Sequence, residues 1–128
     1  MFLFGFILIE LYNIYVTNIY NNMHKKFTKS QFSAISNELV KLAKEFTSKG
    51  YDCSISFAKA SITIFVHDVN VCVCALTIFE ERFVCMNDFK DFVEVAKRAN
   101  VTLNGKYTKM MVEEYENNKY TSNDYINF

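Results

Sequence analysis

With 128 residues, about half of them hydrophobic, the chain is the size of one domain with enough apolar side chains for one core and too few for a second. Fourteen Lys and Arg balance fourteen Asp and Glu, so the molecule as a whole lacks the positive field that draws proteins onto nucleic acid, and equally the acidity of a DNA mimic. Phe, Tyr, Asn, Lys and Ile number 13, 8, 13, 12 and 10, while Pro and Trp are absent. These five residues have AT-rich codons, and we read the bias as genomic, as in an AT-rich bacterium, its phages or plasmids, or an AT-rich protist.

Residues 1–22 form an apolar segment of their own. No Lys or Arg precedes Lys25 and there is no A-x-A pattern, so the segment does not read as a signal peptide. As a membrane anchor it is marginal: Glu10 near the centre costs about 2.5 to 3.5 kcal/mol, against roughly −0.3 to −0.6 for each strongly apolar residue. Glu10, Asn13, Thr17 and Asn21 fall on one face of a helix, which makes an amphipathic helix the third reading. Met23-His24-Lys25-Lys26 also resembles a start site, so an upstream extension is the fourth.

The domain proper is expected over residues 23–120. Ser30 opens a helix whose stripe of Phe32, Ile35, Leu39, Leu42, Ala43 and Phe46 faces a core, and Lys49-Gly50 stops it. Tyr51, Cys53, Ile55 and Phe57 then alternate with polar or small residues in a first strand, and Ile62, Ile64 and Val66 do so in a second. After the turn residues Asp68-Val69-Asn70, the run VCVCALTIF (71–79) is apolar on both faces, which assigns it to the centre of a sheet. Glu80-Glu81-Arg82 turns the chain into a short fourth strand from Phe83 to Met86.

Asn87 or Asp88 is expected to cap a second helix carrying Phe89, Phe92, Val93 and Ala96, and Thr108 a third, short one. Residues 121–128 read as a flexible tail. The expected architecture is an α+β two-layer sandwich of order α-β-β-β-β-α(-α), with helices on one face of a four-stranded antiparallel sheet.

Catalytic signatures are missing from this pattern. Cys53, Cys72, Cys74, Cys85 and His67 are the only cluster of metal-ligand types. The Cys72-x-Cys74 pair lies within a strand, with both side chains expected on one face, rather than in the tight turns that supply structural zinc sites, so we expect free thiols and no metal or other cofactor. Gly5, Gly50 and Gly105 are isolated, leaving no phosphate loop.

The expected function is therefore a small, cytoplasmic, non-enzymatic protein-interaction module. Motif-free domains encoded by phages and mobile elements to inhibit host defence, such as anti-CRISPR proteins, are similar in size and character. Phe65, His67, Glu80, Glu81 and Arg82 are the candidate interaction surface, on the sheet face and rim that the helices leave open. Six Lys against two Glu between His24 and Lys49 support an alternative, a nucleic-acid-binding region comprising Lys25, Lys26, Lys29, Lys41, Lys44 and Lys59. A membrane tether through residues 1–20 is the second alternative, and a homo-oligomer is compatible with all three.

Overall fold

The structure, a computed structural model, describes residues 8–16 and 26–128. Residues 8–16 are helical (α1). They are followed by α2 (Lys29–Ser48), β1 (Asp52–Ala58), β2 (Ser61–Asp68), β3 (Val71–Phe79), β4 (Phe83–Cys85), α3 (Met86–Ala99), α4 (Lys106–Asn118) and β5 (Tyr125–Asn127).

The N-cap of helix α2 is Thr28, two residues before the expected Ser30. Thr28 and Gln31 have the spacing of a capping box: Gln31 N–H donates to Thr28 Oγ1 (3.1 Å), and Thr28 N–H donates to Gln31 Oε1 (2.9 Å). The helix then buries Ile35, Leu39, Leu42 and Phe46 on one stripe and ends at Gly50, whose φ of 95° is open to glycine at no steric cost.

The strands form an antiparallel meander in the order β1-β2-β3-β4-β5. The doubly apolar β3 lies at its centre, as its sequence predicts. Ile62, Ile64, Val66, Cys74, Leu76, Ile78 and Val84 make the buried face. Helices α2 and α3 lie on it, with Phe89, Phe92, Val93 and Ala96 of α3 also buried. Between β2 and β3 the turn Val69-Asn70 has φ of 48° and 67°, the twisted conformation that suits a two-residue hairpin but strains a β-branched residue such as Val69.

Among the described residues the sheet has five strands, not the expected four. Residues 121–128 end in β5, which pairs with β4; Ile126 is buried, and Phe128 N–H donates to the Arg82 carbonyl (3.0 Å). The polar run Thr121–Asp124 hides this strand in the sequence, whereas tertiary burial of one isoleucine and the ring of Phe128 against Phe27 (5.5 Å) fix it.

The two later helices also start differently from expectation. Helix α3 follows β4 with no side-chain cap; Met86 N–H instead donates to the Asp124 carbonyl (2.8 Å), while Asp88 in the first turn and Lys97 and Arg98 in the last complement the dipole. Helix α4 starts after Gly105, and Thr108 is buried inside its first turn instead of capping it. Its cap comes from α2, where the Glu38 carboxylate accepts the Tyr107 N–H through both oxygens at 3.0 and 3.1 Å.

This bond also explains Gly105. Its backbone is extended, so any residue could adopt it, but a Cβ there would sit 2.5 Å from Glu38 Oε1. Glu38→Ala should therefore destabilise the fold by about 1 to 2 kcal/mol, the usual worth of a helix cap. Gly105→Ala should cost a similar amount by displacing the same carboxylate, and the double variant no more than Glu38→Ala alone. Urea denaturation of the three variants measures this coupling; simple additivity would mean that glycine is not there for the carboxylate.

Candidate functional site: the sheet face opposite the helices

Alternation places Ser54, Ser56, Phe65, His67, Ala75, Thr77 and Phe79 on the face turned away from α2 and α3. On β2 and β3 these side chains are half-buried. Thr63 and Thr77 hydroxyls share a cross-strand hydrogen bond of 2.8 Å, and Phe65 stands opposite Ser54 on one side and Ala75 on the other. Toward β5 the face becomes aromatic. Phe79 and Phe83 stack at 4.5 Å with planes 13° apart, and Tyr125 meets Phe83 edge-on at 5.3 Å. This row was not singled out from the sequence, although Phe79 and Phe83 flank a three-residue turn and are therefore cross-strand neighbours by spacing alone.

The five residues assigned to an interaction surface do not form one patch. Phe65 and His67 share the open face, His67 opposite Asp52 and Cys72. Glu80, Glu81 and Arg82 lie in the β3–β4 turn, beside the β1–β2 turn, to which Glu80 N–H is bonded through the Ala60 carbonyl (2.8 Å). Four residues of β2 separate Phe65 from that end, or about 13 Å at strand rise. Arg82 packs inward: its φ is 66°, its guanidinium lies 4.8 Å from the Phe27 ring centroid, and its carbonyl accepts Phe128 N–H. It is a packing residue that ties the chain's C-terminus to the start of α2.

The basic residues diverge as well. Lys25 lies outside the described residues; Lys26, Lys29, Lys41, Lys44 and Lys59 are exposed. Lys41 borders a cavity of about 310 Å³ between α2 and the start of α4, together with Glu38, Glu45 and Lys106. Lys44 borders a different one, of about 380 Å³, between α2 and β1. Lys59 stands in the β1–β2 turn beside Glu80 and Glu81. Among the described residues Lys41, Lys44 and Lys59 therefore do not line one common surface.

The cysteines are separated by a bulge. A register shift at Val66/His67 sets Cys74 opposite Val66, on the buried face, and Cys72 opposite His67, on the open one, so the pair does not point one way as an unbroken strand requires. All four thiols are free, and among the described residues no group of three or more His, Cys, Asp or Glu is placed to hold a metal ion. Burial, reinforced by the neighbouring Cys72 and Cys53 thiols, pushes the Cys74 thiol up to about 12, and burial with Asp52 beside it pushes the Cys53 thiol up to about 11. A raised thiol pKa lowers the thiolate fraction, which at pH 8 falls to about one in a thousand for Cys53 and less for Cys74. Iodoacetamide at pH 8 should therefore modify the exposed Cys72 first and leave Cys53 and Cys74 protected until the chain is unfolded. Mass spectrometry of the peptides reads the order; early loss of Cys74 would mean the core opens readily.

Of the N-terminal segment, 8–16 is described and every residue is exposed, including Leu8, Ile9, Leu11, Tyr12, Ile14, Tyr15 and Val16. Glu10 and Asn13 lie one turn apart, as a helix requires; Thr17, Asn21 and His24 lie outside the described residues. Among the described residues no helix is long and apolar enough to cross a membrane. No family model matches the chain, and no curated protein or solved structure matches it significantly.

Proposed function

We propose that this chain acts by binding a protein partner on the helix-free face of its sheet. The observation that carries this reading is the one-sided build: α2 and α3 lie on one face, while the other presents Phe65, Ala75, Phe79 and Phe83 with no described helix over them. Apolar surface of that kind gains about 25 cal/mol per Å² when a partner excludes water from it. The Thr63–Thr77 pair and His67 supply polar groups that set orientation. Binding by occlusion suits the inhibitors of host defence encoded by phages and mobile elements, and that class belongs to the proposal.

The nucleic-acid alternative has weaker support. Phosphate binding needs cations along one track, and Lys41 and Lys44 border cavities on different sides of α2 while Glu80 and Glu81 share the end of the sheet with Lys59.

Replacing Phe65 with Asp tests the proposal, because the side chain is only half-buried and faces away from Ile64 and Val66. With a partner captured from the source cell and purified, Phe65→Asp should weaken its binding at least tenfold, measured by calorimetry, while circular dichroism still shows a cooperative melt. Unchanged affinity would remove the face from consideration. Loss of the melt would make Phe65 a core residue and place the site elsewhere.

A further inference from the structure

Among the described residues the sheet has a second unpartnered feature, independent of its open face: the edge of β1. An antiparallel ladder leaves every second residue of an edge strand with its N–H and C=O directed outward. Such edges are usually blunted by lysine, proline, a bulge or shortness. β1 has none of these: it is seven residues long, pairs with β2 in unbroken register, and carries one charge, Asp52, at its very start. Beside it, between α2 and β1, lies the shallow 380 Å³ groove walled by Val40, Ala43, Lys44, Thr47, Cys53 and Ile55. At the other end of the strand Phe57, on the same face as Cys53 and Ile55, is 64% exposed, an aromatic ring left largely open among the described residues.

Knob and groove belong to one strand, and their spacing is self-complementary. If two copies of β1 pair antiparallel about Ile55, residue 54 stands opposite 56, and 53 opposite 57. Phe57 of each copy then meets Cys53 of the other, at the groove, and Asp52 meets Ala58, so no like charges face each other across the junction. From this we infer that the chain forms a two-fold homodimer through β1, in which each Phe57 seats in the partner's α2–β1 groove and the two sheets become one of ten strands. A two-fold axis normal to the sheet keeps both helical layers on one side.

Sedimentation equilibrium of the full chain should give twice the 15.0 kDa chain mass. Phe57→Lys, a change at an exposed side chain, should return the mass to that of the monomer or raise the dimer dissociation constant more than tenfold. The register is read separately by placing p-benzoylphenylalanine at position 57, mixing copies of two isotopic labels and irradiating. Inter-copy crosslinks are expected at Cys53 and the Val40–Thr47 stretch of α2. A monomer at roughly 100 µM would overturn the inference, since at that concentration even a weak homodimer is populated, and would leave the edge to an extended peptide. A dimer that survives Phe57→Lys, or crosslinks that avoid the groove, would overturn it too and point to another surface, α1 foremost.

Discussion

Everything in this molecule depends on covering one face of a meander with two helices. The side chains that meet there, Ile35, Leu39 and Phe46 of α2, Phe89 and Phe92 of α3, and Ile64, Leu76 and Ile78 of the sheet, are sealed from solvent. Burial of each contributes about 1.5 to 3 kcal/mol. No ion pair among the described residues competes with that sum. The ion pair between Lys119 and Glu116 joins adjacent turns at the surface, where such pairs contribute little, and it ties nothing to the core. The chain is held together by apolar area, and polar contacts decide only where its elements start and stop.

Those polar contacts are nonetheless long-range. The N-terminus of α4 is satisfied by a carboxylate 69 residues away, and that of α3 by a carbonyl just before β5. Phe27, at the entry to α2, packs on Arg82, Tyr107 and Phe128. One aromatic residue thus gathers the β3–β4 turn, α4 and the C-terminus. Closing such contacts late in the sequence brings loop-closure entropy with it, so this corner is expected to form after the β1–β3 hairpins, which close over turns of two residues.

Periodicity made most of this legible from the residues alone. The α2 stripe, the alternation in β1 and β2 and the doubly apolar β3 each carry a pattern with one physical reading, and the two-layer architecture follows. What periodicity could not supply were features set by contacts between distant segments. Tyr125-Ile126-Asn127 is too short to show a period, and only the slot beside Val84 makes it a strand. The bulge that parts Cys72 from Cys74 leaves no mark on a run apolar throughout. At Thr108, a residue type suited to capping was outcompeted by Glu38 reaching over from another helix. The proposed surface was legible in part: Phe65 and His67 follow from alternation, whereas Arg82 could be seen to pack inward only once Phe27 was placed beneath it.

The free edge and the open face make different demands on a partner, and geometry relates them. Pairing through β1 leaves the helix-free side uninterrupted across both copies, because strands on either side of a two-fold junction keep the same face outward. The two Phe65 side chains would then lie three inter-strand spacings apart across β2, β1, β1 and β2 and two residues apart along the strands, or about 16 Å. A single partner seated over the junction would meet both at once, together with two rows of Ser54 and Ser56 between them. The centre of that surface would be polar and its flanks apolar. A partner engaging one copy would instead cover the aromatic end near Tyr125, far from the junction. Stoichiometry therefore reports location: one partner per dimer places the contact over β1 and β2, and two partners per dimer place it over β3 to β5.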